Sequence, residues 1–252
     1  MVDLGSPSPR VLAWIREASL RGLPVWHVAT VYERFTGRVL LDQDAGLQEG
    51  LWAVAGVDRR PYMLFKRVWE TLLVLAFSPF LLLAILLVSL LVYLDLGRPV
   101  IFSQERVGLG GKVFRAYKFR TMRGTPRAGV YAGDEKDRIT PLGRFLRRYR
   151  LDELPQFWNV LKGDMSLIGP RPEQKVLVEA YSAEIPLYCF RHVVRPGITG
   201  WAQVYHGYAE GKEGTWDKLS YDLFYVKHFS FWLDVRILIR TAWVVVTGFG
   251  AK

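Results

Sequence analysis

The sequence predicts a membrane-associated α/β protein, mostly helical with a small β-hairpin. Three observations carry this. The stretch Thr71–Leu94 contains no charged residue. Two β-like runs, Pro99–Val107 and Lys112–Met122, flank Gly108-Leu109-Gly110-Gly111, a hairpin signal. Much of the remainder reads as amphipathic helices in which arginines interleave with apolar residues.

Composition bounds the class. The chain has 252 residues, with 34 Lys and Arg against 24 Asp and Glu, a net charge of +10. Half the residues are apolar and 14% are aromatic. That combination excludes a disordered chain, and a single cysteine, Cys189, excludes a disulfide scaffold. Mean hydropathy is +0.10 despite the charge, so apolar and basic residues are segregated along the chain. Such a chain suits an anionic membrane surface or an anionic substrate.

The stretch TLLVLAFSPFLLLAILLVSLLVYL would form a helix of roughly 36 Å, long enough for a hydrocarbon core. It lies too far from residue 1 to be a cleavable signal peptide. Ser78 and Pro79 interrupt it. Proline removes a backbone donor and predicts a kink, and a serine hydroxyl can bond the carbonyl that proline frees. Positive residues stand on both flanks: Arg59, Arg60, Lys66 and Arg67 before it, and Arg98, Arg106, Lys112, Arg115, Lys118 and Arg120 after it. Positive charge favours the cytoplasmic face. A helix–break–helix that dips in and returns satisfies both flanks, whereas a kinked span satisfies one. The residues leave both topologies open.

Three regions follow: an N-terminal appendage at 1–60, the membrane helix at 61–98 and a catalytic domain at 99–252. In the appendage, Leu12, Ile15, Ala18 and Leu20 predict a short amphipathic helix and Val28–Phe35 a second. Pro24–Val28 and Gly37–Leu41 read as extended. Sixty residues bury little core unaided, and they offer a surface on which two copies could pair. Beyond the hairpin, Arg123–Asp137 reads as a polar loop. Thr140 caps a helix with Pro141 at its first position. That helix carries Arg144, Arg147, Arg148 and Arg150 among Leu142, Phe145, Leu146 and Tyr149, the basic amphipathic type that lies on anionic lipid. Further helices are expected at Leu154–Leu161 and Pro172–Glu184. Phe229–Thr247 is a second apolar stretch, punctuated by Asp234, Arg236 and Arg240. It reads as an interfacial helix or as one packed on the core.

For chemistry, His27, His192, His206 and His228 show no metal-ligand spacing, and a zinc site is not expected. Cys189 lies between Tyr188 and Phe190 and reads as a packing residue. Carboxylates among arginines remain. Asp152-Glu153 follows the basic helix. Adjacent acids are commonplace, but among arginines beside a membrane they suit phosphoryl chemistry. One carboxylate can be a nucleophile. Its neighbour can hold Mg²⁺, which binds through one or two carboxylates plus substrate phosphates. Arginines supply the fork that phosphate oxygens accept.

Three strings, KFRTM at 118–122, RLDELPQFWNVLKGDMSLIGPRP at 150–172 and RPGITGWAQV at 195–204, resemble the bacterial sugar transferase family, the monotopic phosphoglycosyl transferases. The resemblance runs from about Lys66 to Lys252. It implies transfer of a sugar-1-phosphate from a UDP-sugar to a polyprenyl (undecaprenyl) phosphate, releasing UMP. That is the first membrane step of bacterial polysaccharide or glycoconjugate assembly, as in exopolysaccharide, lipopolysaccharide or capsule. It implies a monotopic protein of the bacterial inner membrane, with a re-entrant helix kinked at Ser78-Pro79 and the catalytic domain on the cytoplasmic face. By the same resemblance Asp152 would be the nucleophile, forming a covalent phosphosugar intermediate, and Glu153, with Asp152, would hold Mg²⁺. Lys118, Arg120 and Arg147 would lie near the phosphates. Pro170, Arg171 and Pro172 would shape the nucleotide side of the site, and Gln203 is a further polar candidate. Asp164 is either a supporting group or a helix cap. Family members often have Asn after AQV; here Tyr205 follows Val204. The segment VYERFTGRV at 31–39 resembles the region before the catalytic domain of larger relatives, so a compact or shortened form is expected.

Two other classes stand beside this one. One is a glycosyltransferase that releases a nucleoside diphosphate. The other is a non-enzymatic membrane adaptor that uses its charge on lipid or an acidic partner. No nucleic-acid recognition module is present.

Overall fold

The computed structural model describes residues 8–41, 59–124, 136–185, 187–206 and 211–247. The chain divides into two compact units, Met1–Val57 and Asp58–Lys252. The regions 61–98 and 99–252, separate by sequence, therefore fall in one unit. The predicted loop at 123–137 lies largely outside the described residues.

Among its described residues the first unit contains two helices. α1 (Pro9–Leu20) begins after Ser8, whose hydroxyl accepts the Val11 N–H, with Pro9 in the first turn. α2 (Val28–Thr36) is capped by His27, whose Nδ1 accepts the Ala29 N–H at 3.2 Å. It stops at Gly37, in the left-handed region at φ 66°. Both helices match the expectation. Pro24–Val28 forms no strand element beyond a single bridge residue at His27, and Gly37–Leu41 forms none either.

The second unit opens on α3 (Arg60–Leu96), a helix of 37 residues, long and apolar enough to cross a membrane. Pro79 lies inside it without interrupting it. The expected break is thus absent as a break in helical structure. Pro79 cannot serve the Leu75 carbonyl, and the Ser78 hydroxyl donates to that oxygen at 2.7 Å instead. Leu72, Leu75, Phe77, Phe80, Leu82, Leu83, Leu86, Leu87 and Leu90 are exposed.

Both ends of α3 are fastened to the same unit. Near its start, buried Lys66 pairs with Glu70 at 3.0 Å and with Asp234. Glu70 accepts from the Ser166 hydroxyl at 2.6 Å and the Ile168 N–H at 3.2 Å. Tyr62 and Tyr225 donate to Asp234 at 2.6 and 2.7 Å. Near the other end, Val88 and Val92 pack with Phe119 and Leu146. Asp95 accepts from the Thr140 hydroxyl at 2.6 Å.

The hairpin forms as expected, from β1 (Ile101–Val107) and β2 (Val113–Phe119), antiparallel from Ile101↔Phe119 to Val107↔Val113. The turn places Gly110 and Gly111 at positive φ. α4 (Pro141–Arg148) starts at Thr140, whose hydroxyl accepts the Gly143 N–H at 2.9 Å. A Cβ on Gly143 would sit 2.3 Å from the Thr121 carbonyl oxygen, so only glycine lets α4 lie this close to the chain after β2. Then come α5 (Gln156–Lys162), β3 (Ser166–Ile168), α6 (Lys175–Glu184), β4 (Gly197–Thr199), α7 (Trp201–Tyr205), α8 (Gly211–His228) and α9 (Phe231–Thr247). β3 and β4 pair in parallel. α6 starts three residues later than expected, and the sequence reading missed α8. α9 packs on the core along one side, as one of the two expectations had it, and leaves its other side exposed. Asp234, Ile237 and Val244 are buried on one side, whereas Trp232, Ile239, Trp243 and Val246 are exposed.

Lys66→Met leaves Glu70 and Asp234 buried without their cation. Uncompensated buried charge costs roughly 3–5 kcal/mol. Thermal unfolding of the detergent-solubilised protein should show a large drop in Tm for Lys66→Met and little change for the exposed Lys175→Met.

Candidate active site

The carboxylate pair sits on a turn built from three local features. α4 ends at Tyr149, and Arg150 adopts the left-handed region at φ 55°, the one non-glycine residue among those described to do so. One 3₁₀ turn, Leu151–Glu153, follows, with the Glu153 N–H donating to the Arg150 carbonyl at 3.2 Å. Pro155 then leads into α5. Leu151 and Leu154 pack on the cluster formed by Val88, Val92, Phe119 and Leu146. The turn is thereby anchored from both sides, with Asp152 and Glu153 only 8% and 4% exposed.

The two carboxylates are treated differently. Glu153 is clamped: Lys118 of β2 donates to its Oε1 at 2.8 Å and Arg171 to the same oxygen at 2.7 Å. Arg150 stands 3.6 Å from Oε2, which is buried and accepts no hydrogen bond. Burial pushes the Glu153 carboxyl up, but Arg171, Lys118 and Arg150 together outweigh it and hold the group well below its usual range. Asp152 accepts no side-chain hydrogen bond from any described residue. Burial raises its pKa first, Lys118 opposes, and the Glu153 charge adds to the rise. Burial likewise lowers the Lys118 pKa, against the pull of Glu153. The result is one fixed anion inside a basic cage beside a second carboxylate whose oxygens are not committed to the fold.

Further residues hold the cage. Arg147 turns inward from α4 and donates to the Thr121 hydroxyl at 2.9 Å. Arg191, 2% exposed, donates to the Arg171 carbonyl at 2.8 Å, to Asp222 at 2.8 Å and to the Tyr188 hydroxyl at 2.7 Å. Asn159 of α5 accepts the Tyr117 N–H at 3.2 Å and donates to the Arg115 carbonyl at 2.7 Å, which fixes β2 beside the turn. Beyond Arg171, Glu173 pairs with Lys218 and lies 3.7 Å from Arg106.

The structure thus brings together Asp152, Glu153, Lys118, Arg147 and Arg171 of the residues singled out by sequence. Arg120 bonds instead to the Met122, Leu96 and Arg98 carbonyls, where it braces the end of α3. Pro170 and Pro172 are buried, and their carbonyls accept from the Gly197 N–H and from Arg106, respectively. Gln203 donates to the Ile198 carbonyl at 2.9 Å within the turn between β4 and α7. Asp164 receives Asn159 at 3.3 Å and Lys162 at 3.1 Å, a supporting role. Tyr205 packs against Trp201 with the two rings tilted at 46°, and Arg240 lies over its ring. Ser78 and Pro79 stay on α3, away from these contacts. Sequence reasoning missed Arg150, Asn159 and Arg191. Among the described residues no group of three or more His, Cys, Asp or Glu is arranged for a metal.

A basic cage around adjacent carboxylates, on a small α/β unit carrying one long apolar helix, suits phosphoryl chemistry beside an apolar surface. The profile of the bacterial sugar transferase family matches residues 61–248, and the chain belongs to that family. Over 99% of its length it is 43% identical to a UDP-N-acetylgalactosamine-undecaprenyl-phosphate N-acetylgalactosaminephosphotransferase of Aeromonas hydrophila, covering 58% of that protein. Over 75% of its length it is 40% identical to a UDP-glucose:undecaprenyl-phosphate glucose-1-phosphate transferase of Escherichia coli, covering 40% of it. A transferase of the same name from Caulobacter vibrioides is 43% identical over 70% of the chain and is covered to 67%.

The ion pairs set a pH dependence. Burial opposes ionisation of Glu173, yet Lys218, Arg191 and Arg106 pull its pKa down from 4.5 to about 2. A depressed carboxyl pKa stabilises the fold above the unfolded value, and that stability is lost as pH falls through the folded value. Asp152 and Asp222, raised by burial, act in the opposite direction. Comparison with Glu173→Gln isolates the one group. The difference in unfolding free energy should be full above pH 5 and shrink towards pH 2, by denaturant titration across that range.

Proposed function

We propose that the chain transfers a sugar-1-phosphate from a UDP-sugar to undecaprenyl phosphate through a covalent intermediate on Asp152. The observation that carries this is the uncommitted Asp152 carboxylate beside a clamped Glu153. A nucleophile needs free oxygens; a group that only balances charge does not. The names of the relatives supply the substrates.

In this reading an Asp152 oxygen attacks the sugar-bearing phosphorus of the UDP-sugar. The bond from that phosphorus to the bridging oxygen breaks, and UMP leaves with the electron pair. A phosphate oxygen of undecaprenyl phosphate then attacks the phosphorus of the adduct, and the Asp152 carboxylate is regenerated. Lys118, Arg147 and Arg171 face the transferring phosphate and stabilise its charge. Arg171 stays in place because Glu153 grips its head and Arg191 its carbonyl.

Mg²⁺ fits the donor set. Two carboxylates are what the ion usually takes from protein when substrate phosphates complete its shell. The buried, unbonded Oε2 of Glu153 is an oxygen that lacks a partner. Asp152 and Glu153 would hold the ion, which supplies charge neutralisation on the diphosphate.

The membrane arrangement belongs to the same reading. The two ends of α3 are bonded to one unit, through Glu70 to β3 and through Asp95 to Thr140. That supports a re-entrant dip, bent at Ser78-Pro79, over a span that would separate the ends. Positive residues on both flanks favour the cytoplasmic face of the inner membrane. The exposed apolar side of α9 would rest at the lipid boundary and bring Asp152 level with the phosphate of the lipid acceptor.

The test is product identity across a panel of UDP-sugars, with UDP-N-acetylgalactosamine and UDP-glucose first. UMP release that requires Mg²⁺ is expected, falling by at least about a thousandfold in Asp152→Asn, the scale on which removing an essential group acts. Release of UDP would favour a glycosyltransferase that leaves both phosphates on the nucleotide. No turnover with any sugar would favour a membrane adaptor.

A further inference from the structure

We propose that Arg67 and Arg195 form a site for the phosphate of an anionic phospholipid headgroup, at the far end of α5 from the carboxylates. The proposal rests on the membrane association of α3 and not on the chemistry assigned to Asp152.

The geometry converges on Gly163. This glycine ends α5 at φ 95°. Arg67 reaches it from α3: its guanidinium donates to the Val160 carbonyl and, at 2.6 Å, to the Leu161 carbonyl. Its terminal nitrogen lies 3.4 Å from where a Gly163 Cβ would be. Arg195 arrives from the segment before β4, and its Nε donates to the Gly163 carbonyl at 3.2 Å. Both line one small pocket with Met63, Lys66, Glu70 and Phe229. The two terminal nitrogens of Arg195 have no hydrogen-bond partner among the described residues.

The charges in this pocket do not balance. Glu70 is its carboxylate, and that group already accepts from Ser166 and the Ile168 N–H and pairs with Lys66. Lys66 is matched by Asp234 and Glu70. Two guanidinium groups are left with backbone carbonyls alone. Burial lowers the Arg195 pKa, the Arg67 charge lowers it further, and Glu70 only partly offsets them. A phosphate would supply the missing anion, and its oxygens match the planar donor edge that Arg195 leaves open.

The depth also fits. Arg67 lies on the last charged turns of α3 before its apolar stretch. Phe65 and Trp69 on those turns meet Phe231 of α9 edge-on, and the adjoining Trp232 is exposed. Aromatic side chains gather at headgroup level, where phospholipid phosphates reside. The carboxylates precede the first turn of α5 and this site follows its last, separated by about 10 Å of helix.

The test reconstitutes the full chain in discs of equal parts phosphatidylcholine and phosphatidylglycerol. Retained lipid is then counted by native mass spectrometry. The wild type should keep phosphatidylglycerol in preference to phosphatidylcholine. Arg195→Gln should lower that occupancy about tenfold, the effect of losing one charge-assisted contact, and Arg195→Lys should fall between. Lysine keeps the charge without the fork, so a graded response separates binding from a packing defect. In a second arm, lipid-free protein in detergent is melted with inorganic phosphate or with short-chain phosphatidylglycerol. A Tm rise with the lipid, lost in Arg195→Gln, supports the proposal. An equal rise with phosphate alone would make a free phosphate the occupant and overturn the lipid assignment. Equal retention of phosphatidylglycerol by wild type and Arg195→Gln would overturn the site itself.

Discussion

Burying a carboxylate is costly unless cations surround it, and the active-site region is organised around that constraint at Glu153. Lys118 comes from the hairpin, Arg150 from the turn itself and Arg171 from the segment before α6. These pieces of chain are separated in sequence, and the segment before α6 also meets β1 through the Arg106–Gln174 bridge and the Val107 N–H, which donates to the Glu173 carbonyl at 3.0 Å. The Glu153 carboxylate joins them. Once it has drawn the cations in, they also surround Asp152, which makes no such bonds. One acid sets the geometry and leaves the other available, and burial keeps both away from bulk water, where the same charges would act weakly.

The apolar helix is part of the same construction. Leu151 and Leu154, either side of the carboxylates, rest on a cluster that includes Val88 and Val92 of α3. At the opposite end of α3, the Lys66, Glu70 and Asp234 network fixes the helix to β3 and α9. The apolar helix therefore forms the floor of the candidate site. On the proposed function, this sets the carboxylates beside exposed apolar surface, where a substrate with a long hydrocarbon tail and an anionic head would be met.

Much of this was legible in the sequence, for identifiable reasons. Thr140 and Pro141 announced α4 because capping is a local property. The Gly-rich string between β-like runs announced the hairpin. Asp152, Glu153, Lys118 and Arg171 stood in strings whose family resemblance named them. α8 was missed because apolar residues such as Leu219, Tyr221, Leu223, Tyr225 and Val226 lie around its circumference, leaving no single stripe to read. Arg191 was missed because its role comes from contact with Arg171 and Asp222, neither near it in sequence. Arg120 and Gln203 lie within matched strings, yet their side chains donate to backbone carbonyls. Motif membership alone does not separate a structural brace from a phosphate ligand.

The central claim is that Asp152 carries the sugar phosphate. Intact-mass spectrometry of the enzyme incubated with its UDP-sugar and Mg²⁺, without lipid acceptor, tests it most directly. The account predicts a mass increase equal to one phosphosugar, mapping to the peptide that holds Asp152, absent in Asp152→Asn, and removed on addition of undecaprenyl phosphate. Equal adduct on wild type and Asp152→Asn, or turnover of UDP-sugar with no adduct under any quench, would contradict it.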